Sequence, residues 1–302
     1  MRLAFLTASF LLTLIPVLAN AESSDLSGET CRERVRGAGV ELGDKAQIRD
    51  WPHGCLITNG SIEFGPYQNW AFKRAEIKSD DVAGLKRDMA MIPNWGRVAV
   101  EGLTLRFPAT SAVTRYITAL QQWPMDFSGS YHWYPAEGRL EVDNVELSSL
   151  RGGLVAASGD FVTNSNATPQ SLAAMSTLGI SRLRLRLDNQ GLFESVAGPS
   201  LVAALSAGAG WDADIDIDEQ VEASKTQAAA VLTAIPDAQI DKESRQALIR
   251  FVRDLPHPGG FFSLEIEFPK PFMVGELDPG TDPVAALKLL SGAKITAQYT
   301  AR

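Results

Sequence analysis

Apolar and polar residues alternate along much of the chain, the period of two that marks a half-buried β-strand. Nine segments carry this alternation or a β-branched bias: Cys55–Phe64, Trp70–Lys78, Arg97–Phe107, Phe127–Tyr134, Arg139–Leu147, Gly153–Val162, Ile180–Asp188, Phe261–Phe268 and Lys294–Tyr299. The most regular is Ile180–Asp188. There Leu183, Leu185 and Leu187 point one way and Arg182, Arg184 and Arg186 the other. In Arg97–Phe107 the apolar set Val98, Val100, Leu103, Leu105 and Phe107 changes phase at Gly102, which predicts a β-bulge.

Helical spacing occupies other segments. Asp80–Ile92 stops before Pro93, and Ser111–Gln122 carries Val113, Tyr116, Ile117 and Leu120 on one face. Pro169–Leu178 opens on a proline, which suits a first turn. Pro199–Ala207 and Pro283–Leu290 are shorter candidates. Glu219–Ile235 ends at Pro236. Asp241–Leu255 gathers Ala247, Leu248, Phe251, Val252 and Leu255 on one side and ends at Pro256.

From Phe127 to Val162 the strands are joined by short turns such as Ala136-Glu137-Gly138 and Arg151-Gly152, the habit of an antiparallel meander. The expected class is α+β, a curved, mainly antiparallel sheet with helices packed on one face. A pure β-sandwich is the alternative, and the helix pair Glu219–Ile235 and Asp241–Leu255 weighs against it. Three strand-then-helix units, Arg97–Leu120, Ser181–Leu205 and Gly260–Leu290, echo one another without the fixed period of a solenoid.

The first residues break the pattern. Arg2 is followed by the apolar run Leu3 to Leu18 and by the small-x-small site Ala19-Asn20-Ala21. Residues 1–21 therefore read as a secretory signal peptide; a membrane anchor would call for a longer apolar run. Residues 22–54 read as a loop-rich N-terminal arm and residues 55–302 as a single α+β domain. Trimmed in this way, the chain is expected to be periplasmic or secreted, with no transmembrane segment. Cys31 and Cys55 are the only cysteines. In an oxidising compartment they are expected to pair, tying the arm to the first strand, and closing such a loop contributes about 3 kcal/mol. A redox role would call for C-x-x-C spacing.

Composition narrows the function classes. Of 302 residues 45% are hydrophobic and 21% charged, which excludes wholesale disorder. With 28 basic against 36 acidic residues the net charge is −8, which argues against a nucleic-acid partner. Two cysteines and the scattered His53, His132 and His257 leave no expected metal site. Asp212, Asp214, Asp216 and Asp218 fail the calcium-loop pattern, with Ile217 where glycine and Ala223 where glutamate would stand. They read instead as one solvated face of a strand.

No catalytic residue and no cofactor is assigned. Gly198-Pro199-Ser200-Leu201-Val202 lacks the second glycine of a nucleophile elbow. Ser291-Gly292-Ala293-Lys294 fits S-x-x-K without its partner motifs. Two groups are candidates for binding. Tyr131 and Trp133 share one strand face, opposite His132 and Tyr134, as core packing or as the wall of a groove for an apolar ligand. Arg182, Arg184 and Arg186 repel one another unless acids on neighbouring strands meet them. The Asp212–Asp218 ladder is one candidate source, and Glu141, Asp143 and Glu146 are another. Unpaired, the arginines would form an anion site.

Three stretches carry a resemblance: Leu140–Phe161, Leu183–Val196 ("LRLRLDNQGLFESV") and Gly260–Leu290. They are similar to AsmA-like and related envelope proteins of Gram-negative bacteria. That resemblance implies a periplasmic protein rich in antiparallel strands, connected with outer-membrane or lipid homeostasis, and supplies no catalytic residues. The present chain is shorter and, after trimming, unanchored. The expected function is an exported, non-enzymatic binding or assembly protein that offers an apolar sheet face, with Val98, Val100, Leu183, Leu185 and Leu187, to a lipid or to an envelope protein. The alternatives are an envelope hydrolase, with Ser291, Lys294 and His132 as its only leads, and a scaffold that acts through an exposed edge strand.

Overall fold

The computed structural model describes residues 31–32, 42–64, 68–80, 93–106, 123–163, 178–196, 217–273 and 292–302. Ten strands form one open antiparallel sheet in which spatial order is chain order. They are β1 (Gln47–Trp51), β2 (Gly54–Phe64), β3 (Gln68–Ser79), β4 (Trp95–Arg106), β5 (Met125–Tyr134), β6 (Arg139–Ser149), β7 (Leu154–Thr163), β8 (Leu178–Asn189), β9 (Gly260–Met273) and β10 (Lys294–Thr300). The helices are α1 (Leu192–Val196), α2 (Ile217–Ala234) and α3 (Lys242–Asp254). Among the described residues the molecule is mainly β, with helices a minor part.

Nine strands coincide with the segments read from alternation. The tenth, β1, lies inside the segment read as a loop-rich arm. It forms a tight hairpin with β2, Trp51 opposite Gly54, in which Pro52 precedes His53 at φ 58°. Cys31 and Cys55 are disulfide-bonded, with Cα atoms 6.0 Å apart. Of the expected helices, Glu219–Ile235 and Asp241–Leu255 correspond to α2 and α3. Ser111–Gln122, Pro199–Ala207 and Pro283–Leu290 lie outside the described residues, as does nearly all of Asp80–Ile92 and Pro169–Leu178. Residues 212–216 also lie outside them. Asp218, expected on a strand with them, opens α2 instead, where an acid complements the helix dipole.

The bulge expected at Gly102 is present. The β4–β5 register shifts between Val100 and Leu103, and Gly102 has φ 69°. Asn59 of β2, at φ 53°, and Lys73 of β3 fall at the same level of the sheet, because Thr58 pairs with Arg74 and Arg74 with Glu101. The apolar phase changes in all three strands there, from Ile57 to Ile62, from Ala75 to Phe72 and from Val100 to Leu103. A phase change in one strand alone would put its side chains on the wrong face; changing three together keeps one face apolar.

The sheet therefore has two unlike faces. One holds a buried cluster running from Ile57 and Ala75 through Val100, Phe127, Tyr131, Trp133, Leu140, Val142 and Val145 to Phe161 and Leu178. A second cluster, Leu187, Phe262, Ala297 and Tyr299, is covered on the same face by Ala247, Leu248 and Phe251 of α3. Phe251 stacks on Phe262 at 4.0 Å between centroids and meets Tyr299 edge-on at 5.5 Å. The opposite face is a mosaic of charges: Arg74 with Glu76, Lys78 with Glu76, Arg139 with Glu137 and Glu141, and Arg184 with Glu265.

The outer edge of β10 is also covered. Ile295 N–H donates to the Gln239 carbonyl at 2.7 Å, and Ala297 N–H donates to Ser244 Oγ at 3.0 Å. The Arg250 guanidinium reaches the Tyr299 carbonyl at 3.5 Å. The start of α3 is fixed by Asp241, whose carboxylate accepts from the Ser244 N–H and from the Ser244 hydroxyl, both at 2.8 Å.

Candidate functional site

Burial on the apolar face is uneven, and the unevenness locates the site. Tyr131, Trp133, Leu140 and Phe161 are closed off on one side, and Leu187, Phe262 and Tyr299 lie closed under α3 on the other. Between them run Ala157, Leu183, Leu185, Leu264 and Ile266, all half-buried; Leu185 and Leu264 pack against the cluster under α3, and Leu264 and Ile266 against Ile235, Ile240 and Ile295. These residues are cross-strand neighbours. Ala157 pairs with Leu185 and Leu185 with Leu264, and Leu183 pairs with Ile266. They form a half-buried apolar strip across β7, β8 and β9. From Arg182 to Asp188 the pairing of β8 with β7 and β9 runs without a register shift, so every residue in the strip faces the same way.

The arginine ladder stands directly behind this strip. Arg182 bonds Glu267 at 2.7 Å and lies 3.6 Å from Glu265 and 3.9 Å from Asp160. Arg184 bonds Glu265 at 2.8 Å. Arg186 lies over the Phe261 ring at 5.6 Å. The expected cross-strand pairing is present, but with other partners than those anticipated. Asp160 comes from β7, and Glu265 and Glu267 from β9. Glu141, Asp143 and Glu146 sit on β6, two strands away from β8, which is beyond the reach of direct pairing.

Tyr131 and Trp133 share a face, as alternation predicts, and both are buried in the larger cluster. Tyr131 packs its ring against Gly96, where any side chain would overlap it. Its hydroxyl is buried, and desolvation, with the Asp80 carboxylate as a secondary cause, pushes its pKa up. These two aromatic residues border the strip from the β5 side and are not themselves its surface. Val98 is half-buried and Val100 and Leu187 are buried on the same face.

A second concavity lies on the polar face. It is a shallow depression of about 290 Å³ lined by Trp95, Arg97, Ser130, His132, Asp143 and Asn144. His132 Nδ1 meets the Asp143 carboxylate at 3.0 Å. A bulge produces the pair: Ser130 opposes Asn144 but Tyr131 opposes Val142, so Asp143 is the extra residue, beside His132. Its signal in the sequence is the three-residue step from Val142 to Val145 within the otherwise alternating Leu140, Val142, Val145, Leu147. Lys294 starts β10, His132 sits on β5, and Ser291 lies outside the described residues. Among the described residues no three metal-ligating side chains converge, and no helix is long and apolar enough to cross a membrane.

The half-buried apolar strip is backed by an ion-paired face. Compared with protein-family models and with curated proteins, the sequence matches none.

Proposed function

We propose that this is an exported, non-catalytic protein that binds a lipid acyl chain, or a comparable apolar ligand, along the strip Ala157, Leu183, Leu185, Leu264 and Ile266. One observation carries the reading: these apolar side chains are only half-buried, and they lie between the cluster around Tyr131 and Phe161 and the cluster under α3. An apolar strip left facing water is unfavourable by roughly 25 cal/mol per Å², and a bound chain removes that penalty. Export is supported by the Cys31–Cys55 disulfide, a bond favoured in oxidising compartments. The resemblance to AsmA-like envelope proteins points to the same compartment and ligand class.

The test is native mass spectrometry of gently purified protein, with organic extraction of any bound material. The expected result is a stoichiometric lipid that is lost in the double variant Leu185→Gln, Leu264→Gln. Consistently empty protein overturns the reading. The alternative of a scaffold working through an exposed edge draws no support from the β10 side, where Gln239 and Ser244 already occupy the strand's N–H groups.

A further inference from the structure

Among the described residues two large apolar side chains stand out in water: Leu150, 73% exposed, and Trp123, 46% exposed. They are far apart in sequence and belong to one end of the sheet. Leu150 and Arg151 form the β6–β7 turn, closed by the Gly152 N–H donating to the Ser149 carbonyl at 2.9 Å. Trp123 stands two residues before Met125, the β5 residue paired with Ser149. The Arg151 guanidinium lies over the Trp123 ring, 3.6 Å from its centroid. The tip thus carries an aliphatic side chain, an indole and a cation.

We infer that this tip is a membrane-docking element, with Leu150 and Trp123 entering the bilayer interface and Arg151 meeting lipid phosphates. The inference rests on the lipid-binding reading above and adds the surface from which the lipid is taken or to which it is delivered. Two considerations favour a bilayer over a protein partner. Two side chains and a guanidinium at a turn fall far short of the roughly 800 Å² per partner that a stable protein interface buries. A bilayer interface needs only what is here: an amphipathic aromatic ring at headgroup level, an aliphatic side chain below it and a cation beside the phosphates. Among the described residues Arg151 makes no ion pair with a carboxylate. Asp126 accepts from the Gly102 N–H at 2.8 Å, and Asp188 faces Arg302 at 3.4 Å.

The tip also joins the apolar face. Met125 and Leu192 are buried with Trp70 at this end of the sheet, packed against Leu147 and Val155. Val155 pairs with Leu187 and so leads to the β7–β8–β9 strip. Leu147, Val155 and Ala157, all half-buried, lead from the tip to the strip.

Flotation of the full chain with vesicles of phosphatidylethanolamine and phosphatidylglycerol tests this. The wild-type protein is expected to float with the vesicles. The double variant Trp123→Ser, Leu150→Ser is expected to lose binding by about tenfold or more, and Arg151→Glu to weaken it on the same vesicles. Both variants change exposed side chains, so the thermal midpoint should stay at the wild-type value. A wild type that does not float, or a double variant that floats equally well, overturns the inference. Native mass spectrometry on the same preparations separates this from the binding reading. Bound lipid without flotation removes the tip and keeps the strip, whereas flotation of empty protein does the reverse.

Discussion

Ser244 shows how much one side chain holds in this fold. It is 3% exposed, donates its hydroxyl proton to Asp241 and accepts the Ala297 N–H. Ser244→Ala would leave a buried strand N–H without a partner, a loss of about 1–3 kcal/mol in denaturant unfolding; an unchanged midpoint would count against that role. Two carboxyls couple stability to pH. The backbone N–H and hydroxyl of Ser244 hold the Asp241 carboxyl below the ordinary range, and hydrogen bonds from Lys78 and then Arg74 do the same for Glu76. Groups with a depressed folded pKa release protons more readily in the native state. Their contribution is therefore complete above the unfolded value near 4 and lost as pH falls through the folded one. Unfolding free energy is expected to decline on acidification below about pH 4, and Asp241→Asn, which still caps the helix, should flatten its share of that decline. At this scale the sequence was legible where a rule is local. Gly102 stood out as a bulge because Val100 and Leu103 break a period of two. The step from Val142 to Val145 is the same local break, but that it sets Asp143 beside His132 depends on which strand lies next to it.

At the scale of elements, α3 was readable from its own spacing, and its docking site was not. The apolar face Ala247, Leu248 and Phe251 says that the helix must cover something. Only the structure shows that it covers β9 and β10 together and caps the β10 edge. Phe251→Ala should cost about 3–5 kcal/mol by emptying the centre of the aromatic cluster. It should also promote aggregation, measured by light scattering during partial unfolding, because α3 shields an edge strand. The arginine ladder of β8 teaches the complementary lesson. Alternation placed three guanidinium groups on one face, but not which strand would lie beside them. The long interval between Asn189 and Gly260 hides the β8–β9 pairing from any local reading. Arg182→Ala is expected to cost less than about 1 kcal/mol despite its three acidic neighbours, since its side chain is 39% exposed and solvent screens the pairs. That small effect should shrink further in high salt.

For the molecule as a whole, the class and most strand positions could be read from patterning, because a sheet with one wet face writes its geometry into every second residue. β1 escaped notice: Gln47–Trp51 is short and polar, and only its partner β2 makes a strand of it. The half-buried strip escaped as well, since Leu183 alternates just as the buried Leu187 does; what differs is that Leu187 lies in the cluster under α3. Reducing the Cys31–Cys55 bond releases a loop spanning 24 positions, and should lower the unfolding free energy by about 3 kcal/mol. Identical denaturation curves with and without reductant would contradict this.

The unbroken run from first strand to last has a bearing on biogenesis. Each new strand finds its predecessor already in place, so a nascent chain delivered gradually, N-terminus foremost, need never await a distant mate. Growth resembles closing a zip, and at every stage the growing margin is the newest strand's outer side. α2 and α3 precede the tenth strand in the chain, so the cap that seals that margin is made before the strand it will seal.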